Sequence, residues 1–89
     1  MTAEQKLLNA GYEDVKYLTN DSYDTALIGV TTDNRAVYDF NKMVKWLIEV
    51  QGFNDETEAI EWIEYNTLRA IPYMGEDAPI IIYPLEEDS

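Results

Sequence analysis

The spacing of apolar positions changes along the chain, and each change marks an element. Residues 3–10 carry Leu7 and Leu8 in an otherwise polar run and predict a short helix, with Gly11 where a helix C-terminal glycine belongs. Tyr12–Leu18 reads as an alternation of apolar Val15 and Leu18 with polar Lys16 and amphipathic Tyr17, and predicts a strand. Thr19–Asp24 is a polar break. Ala26–Thr31 is short, apolar and β-branched, the pattern of a buried strand. Thr32-Asp33-Asn34-Arg35 has turn chemistry, because Asp and Asn tolerate a left-handed backbone. Ala36–Phe40 alternates again, so the two runs predict a hairpin.

After Phe40 the period lengthens from two to that of a helix. Asp39 or Asn41 can cap a helix over about 42–51, which Gly52 ends. Asn54 or Asp55 caps a second one, and Asp55 with Glu58 three residues on has the acidic look of a helix start. This helix runs to about Arg69 and stops before Pro72. Gly52-Phe53-Asn54 is short enough to require an αα-hairpin. Pro72, Gly75 and Pro79 predict a loop over 72–79, and Ile80–Tyr83 a last strand. The order α-β-β-β-α-α-β predicts an α+β fold: a small antiparallel sheet of about four strands with the helical hairpin on one face. Residues 1–89 read as a single domain, with 84–89 as an acidic C-terminal tail.

The helix faces carry the first functional hints. At about 100° per residue, Phe40, Met43, Val44, Trp46, Leu47, Ile48 and Val50 spread over roughly 200°. An ordinary surface helix has a narrower stripe, so this one is covered on two sides. Either the sheet and the second helix supply both covers, or Trp46 and Val50 form a dimer interface. On the second helix, Ala59, Ile60, Ile63, Thr67 and Ile71 form the core face. Asp55, Glu58, Glu61 and Glu64 recur every third residue as a slanted acidic stripe, with Trp62 and Tyr65 among them. Exposed aromatics beside carboxylates offer a partner a rigid anchor within a charge field. The plainer alternatives are that Trp62 tucks against Phe53 or the tail, and that the acids are a solvated face.

Charge sharpens this picture. The chain has 89 residues, 18 acids, six bases and no histidine, a formal charge of −12. Residues 1–48 hold seven acids and five bases, whereas 49–89 hold eleven acids and only Arg69. Affinity for phosphate comes from clustered Lys and Arg, so direct nucleic-acid binding is disfavoured, as are anionic membranes. With 46% hydrophobic residues the chain is no disordered acidic tail. No apolar run reaches the ~18 residues of a membrane span, and the polar N-terminus is not a signal peptide. A chain complete as written and a cytoplasmic location are expected.

Little chemistry competes with a binding role. Without cysteine or histidine there is no zinc finger, thiol chemistry or serine triad. Asn20, Ser22 and Asp24 open like a calcium loop, but Thr25 and Thr31 stand where its Gly and Glu belong. The four glycines are too dispersed for a phosphate loop. Nothing singles out one carboxylate pair for acid–base work. The expectation is no enzyme, no catalytic residue, no metal and no cofactor. Arg69 either neutralises its helix end or organises acids around the 72–79 loop.

The segments Tyr38-Asp39-Phe40-Asn41-Lys42-Met43-Val44 and Ile63–Gly75, with Ala78–Ile82 and Tyr23–Val30, carry a resemblance. Over residues 11–85 the chain resembles an uncharacterised family of small acidic proteins encoded by phages, integrated mobile elements and their bacterial hosts. The resemblance lends no catalytic residue. It implies the context of a mobile-element accessory protein in the cytoplasm of a bacterial host, and it marks Glu64–Gly75 as a candidate shared structural or binding element.

Two functions follow as expectations. The first is a protein-binding inhibitor, of the DNA-mimic or CRISPR-inhibitor kind, that fills the basic groove of a host enzyme such as a nuclease. Its partner-binding residues would be Asp55, Glu58, Glu61, Trp62, Glu64, Tyr65, Glu86, Glu87 and Asp88. The second is a structural or regulatory oligomerising module without inhibitory activity, using the broad apolar helix and the sheet edge at Ile80–Tyr83, with a homodimer as one form. A third, weaker reading is plain acidic solubility, as in salt-adapted proteins.

Overall fold

A computed structural model describes residues 1–19 and 21–85. Helix α1 spans Ala3–Asn9 and begins with a reciprocal cap. Thr2 Oγ1 accepts from the Gln5 amide and Gln5 Oε1 from the Thr2 amide, both at 3.1 Å. Gly11 ends it at φ 90°, as its position predicts. Strands β1 (Leu27–Val30) and β2 (Ala36–Asp39) form the expected antiparallel hairpin, with Asn34 left-handed at φ 64° in the turn. A bulge between Leu27 and Gly29 shifts the register and leaves Ile28 exposed.

Helix α2 (Phe40–Val50) follows β2 directly. Of the two candidate caps, Asp39 does the work: its Oδ1 accepts from the Lys42 amide at 3.1 Å. Gly52, at φ 79°, turns the chain into α3 (Glu56–Trp62), which completes the αα-hairpin. A π-helical stretch, Ile63–Leu68, continues α3, and a 3₁₀ turn, Ile71–Met74, follows. The loop expected from Pro72 thus starts as a helical turn, with Pro72 at its first positions, where the missing N–H costs nothing.

The α+β class holds, while the sheet differs from expectation in two ways. Among the described residues it has three strands in the order β1-β2-β3, and β3 (Ile80–Ile82) lies parallel to β2, with Val37 opposite Ile80 and Asp39 opposite Ile82. A parallel pair needs a long crossover, and residues 40–79 supply it. The strand expected at Tyr12–Leu18 is irregular chain. Val15 and Leu18 are both buried, and a three-residue spacing cannot put two side chains on one face of a period-two strand. The Leu18 amide donates instead to the buried Tyr38 hydroxyl at 3.0 Å.

One core joins these elements. Tyr23, Tyr38, Met43, Leu47 and Ile63 are fully buried. Trp46 is 6% exposed and lies 5.2 Å, centroid to centroid, from Tyr23. Phe40, Met43, Val44, Trp46 and Leu47 of the apolar arc on α2 are buried within the chain, so the interface considered along Trp46 and Val50 loses its tryptophan to the core, while Val50 stays exposed. Tyr83 packs on Phe40 at 4.8 Å and ties the end of β3 to the start of α2.

Candidate protein-binding face

The acidic stripe begins at a cap. Asp55 is extended at φ −154°, and its Oδ1 accepts from the Glu58 amide at 2.9 Å. Glu58 Oε1 accepts from the Asn54 amide at 3.0 Å, one residue upstream of the standard reciprocal partner. Asp55, Glu56 and Glu58 thus have a structural reason to be acidic, since a helix N-terminus favours negative charge. Glu61 and Glu64 lie beyond that first turn. Both are exposed, and no hydrogen bond or ion pair to them is found among the described residues. The ion pair found there joins Lys16 to Asp77 at 2.8 Å, on the loop before β3; the Lys16 ammonium holds the Asp77 carboxyl below its ordinary range.

The two aromatics differ. Trp62 does tuck against Phe53, edge-on at 5.5 Å and 74°, yet keeps 40% of its surface exposed. Its Nε1 donates to Asp21 Oδ2 at 2.8 Å, which fixes the ring against the irregular chain before the hairpin. Tyr65 is 66% exposed, and the Arg69 guanidinium lies 4.9 Å from its ring centroid. Arg69 stands at the C-cap of the stretch Ile63–Leu68, as a helix-end cation would, and its guanidinium stacks on an aromatic face; no ion pair from it to the carboxylates of the 72–79 loop is found among the described residues.

The π-helical stretch sets where these side chains point. Ala59, Ile63 and Thr67 are buried at strict four-residue intervals. In an α-helix that spacing drifts by about 40° per step, and an i→i+5 turn, which holds more residues, reduces the drift. Thr67 is thereby kept inward, where its hydroxyl meets the buried Tyr23 hydroxyl at 2.9 Å. Glu64, Tyr65 and Asn66 are turned outward, and Asn66 Nδ2 donates to the Trp62 carbonyl at 3.0 Å.

Grooves flank this segment. One, of about 350 Å³, is lined by Phe53, Glu58, Glu61, Trp62, Tyr65 and Asn66. Another, of about 220 Å³, is lined by Leu18, Thr19 and Asp21 on one side and by Asn66 and Thr67 of the π-helical stretch on the other. Asp55, Glu58, Glu61, Trp62, Glu64 and Tyr65 therefore lie on one exposed segment, while Glu86, Glu87 and Asp88 fall outside the described residues. Phe53 was foreseeable as a rest for Trp62. Asp21 and Asn66 were not: Asp21 is far from Trp62 in sequence, and a single mid-helix Asn carries no signal. Among the described residues no cluster of three metal-ligating side chains occurs, and no helix is long and apolar enough to cross a membrane. The chain matches no protein-family model, no curated protein and no solved structure.

Proposed function

We propose that the chain is a small acidic protein-binding module of a phage or mobile element, acting in the bacterial cytoplasm. In this reading it inhibits a nucleic-acid-binding host enzyme, such as a nuclease, by occupying its basic groove. The observation that supports this most is the exposure of Glu61, Glu64, Trp62 and Tyr65 on one segment, where capping explains neither acid and no cation pairs with them among the described residues. Acids at every third residue lie about 4.5 Å apart along a helix axis, slightly sparser than the ~3.4 Å of phosphates along one DNA strand. A basic groove shaped for phosphates meets a comparable charge density here, and opposite potentials speed the encounter.

The test is competition. Purified basic nucleases are titrated with the protein in the presence of labelled duplex DNA, at about 50 mM and about 200 mM salt. Displacement of DNA that weakens strongly with salt supports the reading. Absence of displacement from every enzyme at the lower salt refutes it. The oligomerising alternative keeps the β3 edge, which Pro79 and Pro84 bracket closely, and light scattering across a concentration series separates the two.

A further inference from the structure

We infer that the groove between Phe53 and Tyr65 takes an arginine side chain of the basic partner. This rests on the proposed docking function and names the chemistry of its anchor. The groove offers both halves of a guanidinium site. Its lining is aromatic at Phe53, Trp62 and Tyr65 and acidic at Glu58 and Glu61. Three residues apart on a helix, these carboxylates stand about 5–6 Å apart at Cβ, within reach of one forked donor. Glu58 spends Oε1 on the Asn54 amide and retains Oε2; Glu61 has no partner among the described residues.

The ring that would receive the cation is already fixed. Trp62 is held at its Nε1 by Asp21 and packs in a T-shaped pair with Phe53, so little rotamer freedom is left to lose on binding. Tyr65 shows the same chemistry within the chain. It borders a further, smaller groove with Glu64 and Arg69, where the Arg69 guanidinium lies over its ring at 4.9 Å. No lysine or arginine of the chain lines the larger groove. A planar, weakly hydrated guanidinium stacks on an aromatic ring and forks to carboxylates, whereas a lysine ammonium does neither as well. The occupant is therefore arginine in preference to lysine.

Hexa-arginine and hexa-lysine peptides serve as probes at matched ionic strength, with ¹⁵N-labelled full-length protein observed by NMR. Trp62 and Trp46 give two indole N–H signals, one from the groove and one from the core. Hexa-arginine is expected to shift the Trp62 indole and the amides of 58–66 saturably, to leave the Trp46 indole in place, and to bind about threefold or more tightly than hexa-lysine. Glu61→Gln, at an exposed position, removes one carboxylate of the fork and is expected to erase that preference while the spectrum stays folded. Equal affinity for the two peptides, or binding that leaves the Trp62 indole unmoved, overturns the arginine site without touching the docking proposal. Failure of both peptides to bind at low salt overturns the two together.

Discussion

The buried hydroxyl pair Tyr23–Thr67 holds the π-helical stretch to the core, and its removal has a calculable cost. Thr67→Val keeps the side-chain shape but leaves the Tyr23 hydroxyl without a partner in a fully buried position. A buried donor stranded in this way costs roughly 1–3 kcal/mol. In a domain of this size that lowers the melting temperature by about 4–8 °C per kcal/mol. Tyr23→Phe strands the Thr67 hydroxyl and carries a similar cost. The double variant strands neither and is expected to recover most of the loss, because an apolar pair of the same shape is nearly neutral. Urea unfolding of the four proteins closes the cycle, and the expected coupling is about 1–2 kcal/mol. Additive single effects would refute the assignment of this bond as the anchor. The Trp62 indole N–H signal supplies a second reading, since loss of the anchor is expected to shift it.

Three further outcomes follow from the same structure. Burial pushes the Tyr23 and Tyr38 phenols up to about 12 from an ordinary 10, so the unfolded chain releases their protons first as pH rises. Stability is full below about pH 10 and falls between about 10 and 12 by roughly 1.4 kcal/mol per pH unit for each tyrosine, measurable by urea titration at intermediate pH values and about halved in slope in Tyr23→Phe, where Tyr38 alone remains. Asp39→Ala removes the buried cap of α2 and is expected to cost about 1–2 kcal/mol in thermal or urea unfolding, whereas Asp39→Asn retains most of the stability. Gly52→Ala meets no atom within 4 Å but forces φ 79° on an alanine, with an expected loss of about 1 kcal/mol from strain alone.

The helices were legible because their signals are local. Asp39, Asp55, Gly11 and Gly52 each sit at the boundary their chemistry implies. The hairpin was legible from Asn34 and the alternation around it. Strand direction was not, because a crossover as long as residues 40–79 can return to either end of β2. The irregular 12–18 segment could have been recognised: Val15 and Leu18 are spaced wrongly for one face of a strand. The strict recurrence of Ala59, Ile63 and Thr67 likewise hints at the wider turn that the structure displays. The acidic stripe was legible as a pattern, but its separation into capping acids and Glu61 and Glu64, which have no partner among the described residues, was not. That distinction depends on which oxygens already hold backbone amides. The groove was hidden because Asp21 fixes Trp62 from a distant part of the chain.

Glu61, Glu64 and Tyr65 carry the proposed docking, and affinity capture from a bacterial lysate puts them to the test. Wild-type protein and the Glu61→Gln/Glu64→Gln/Tyr65→Ala variant serve as paired baits at low salt, with elution by duplex DNA. The account predicts a nucleic-acid-binding enzyme that the wild type retains, that DNA and high salt release, and that the variant fails to hold. Equal retention by both baits, or a capture that DNA does not displace, contradicts it.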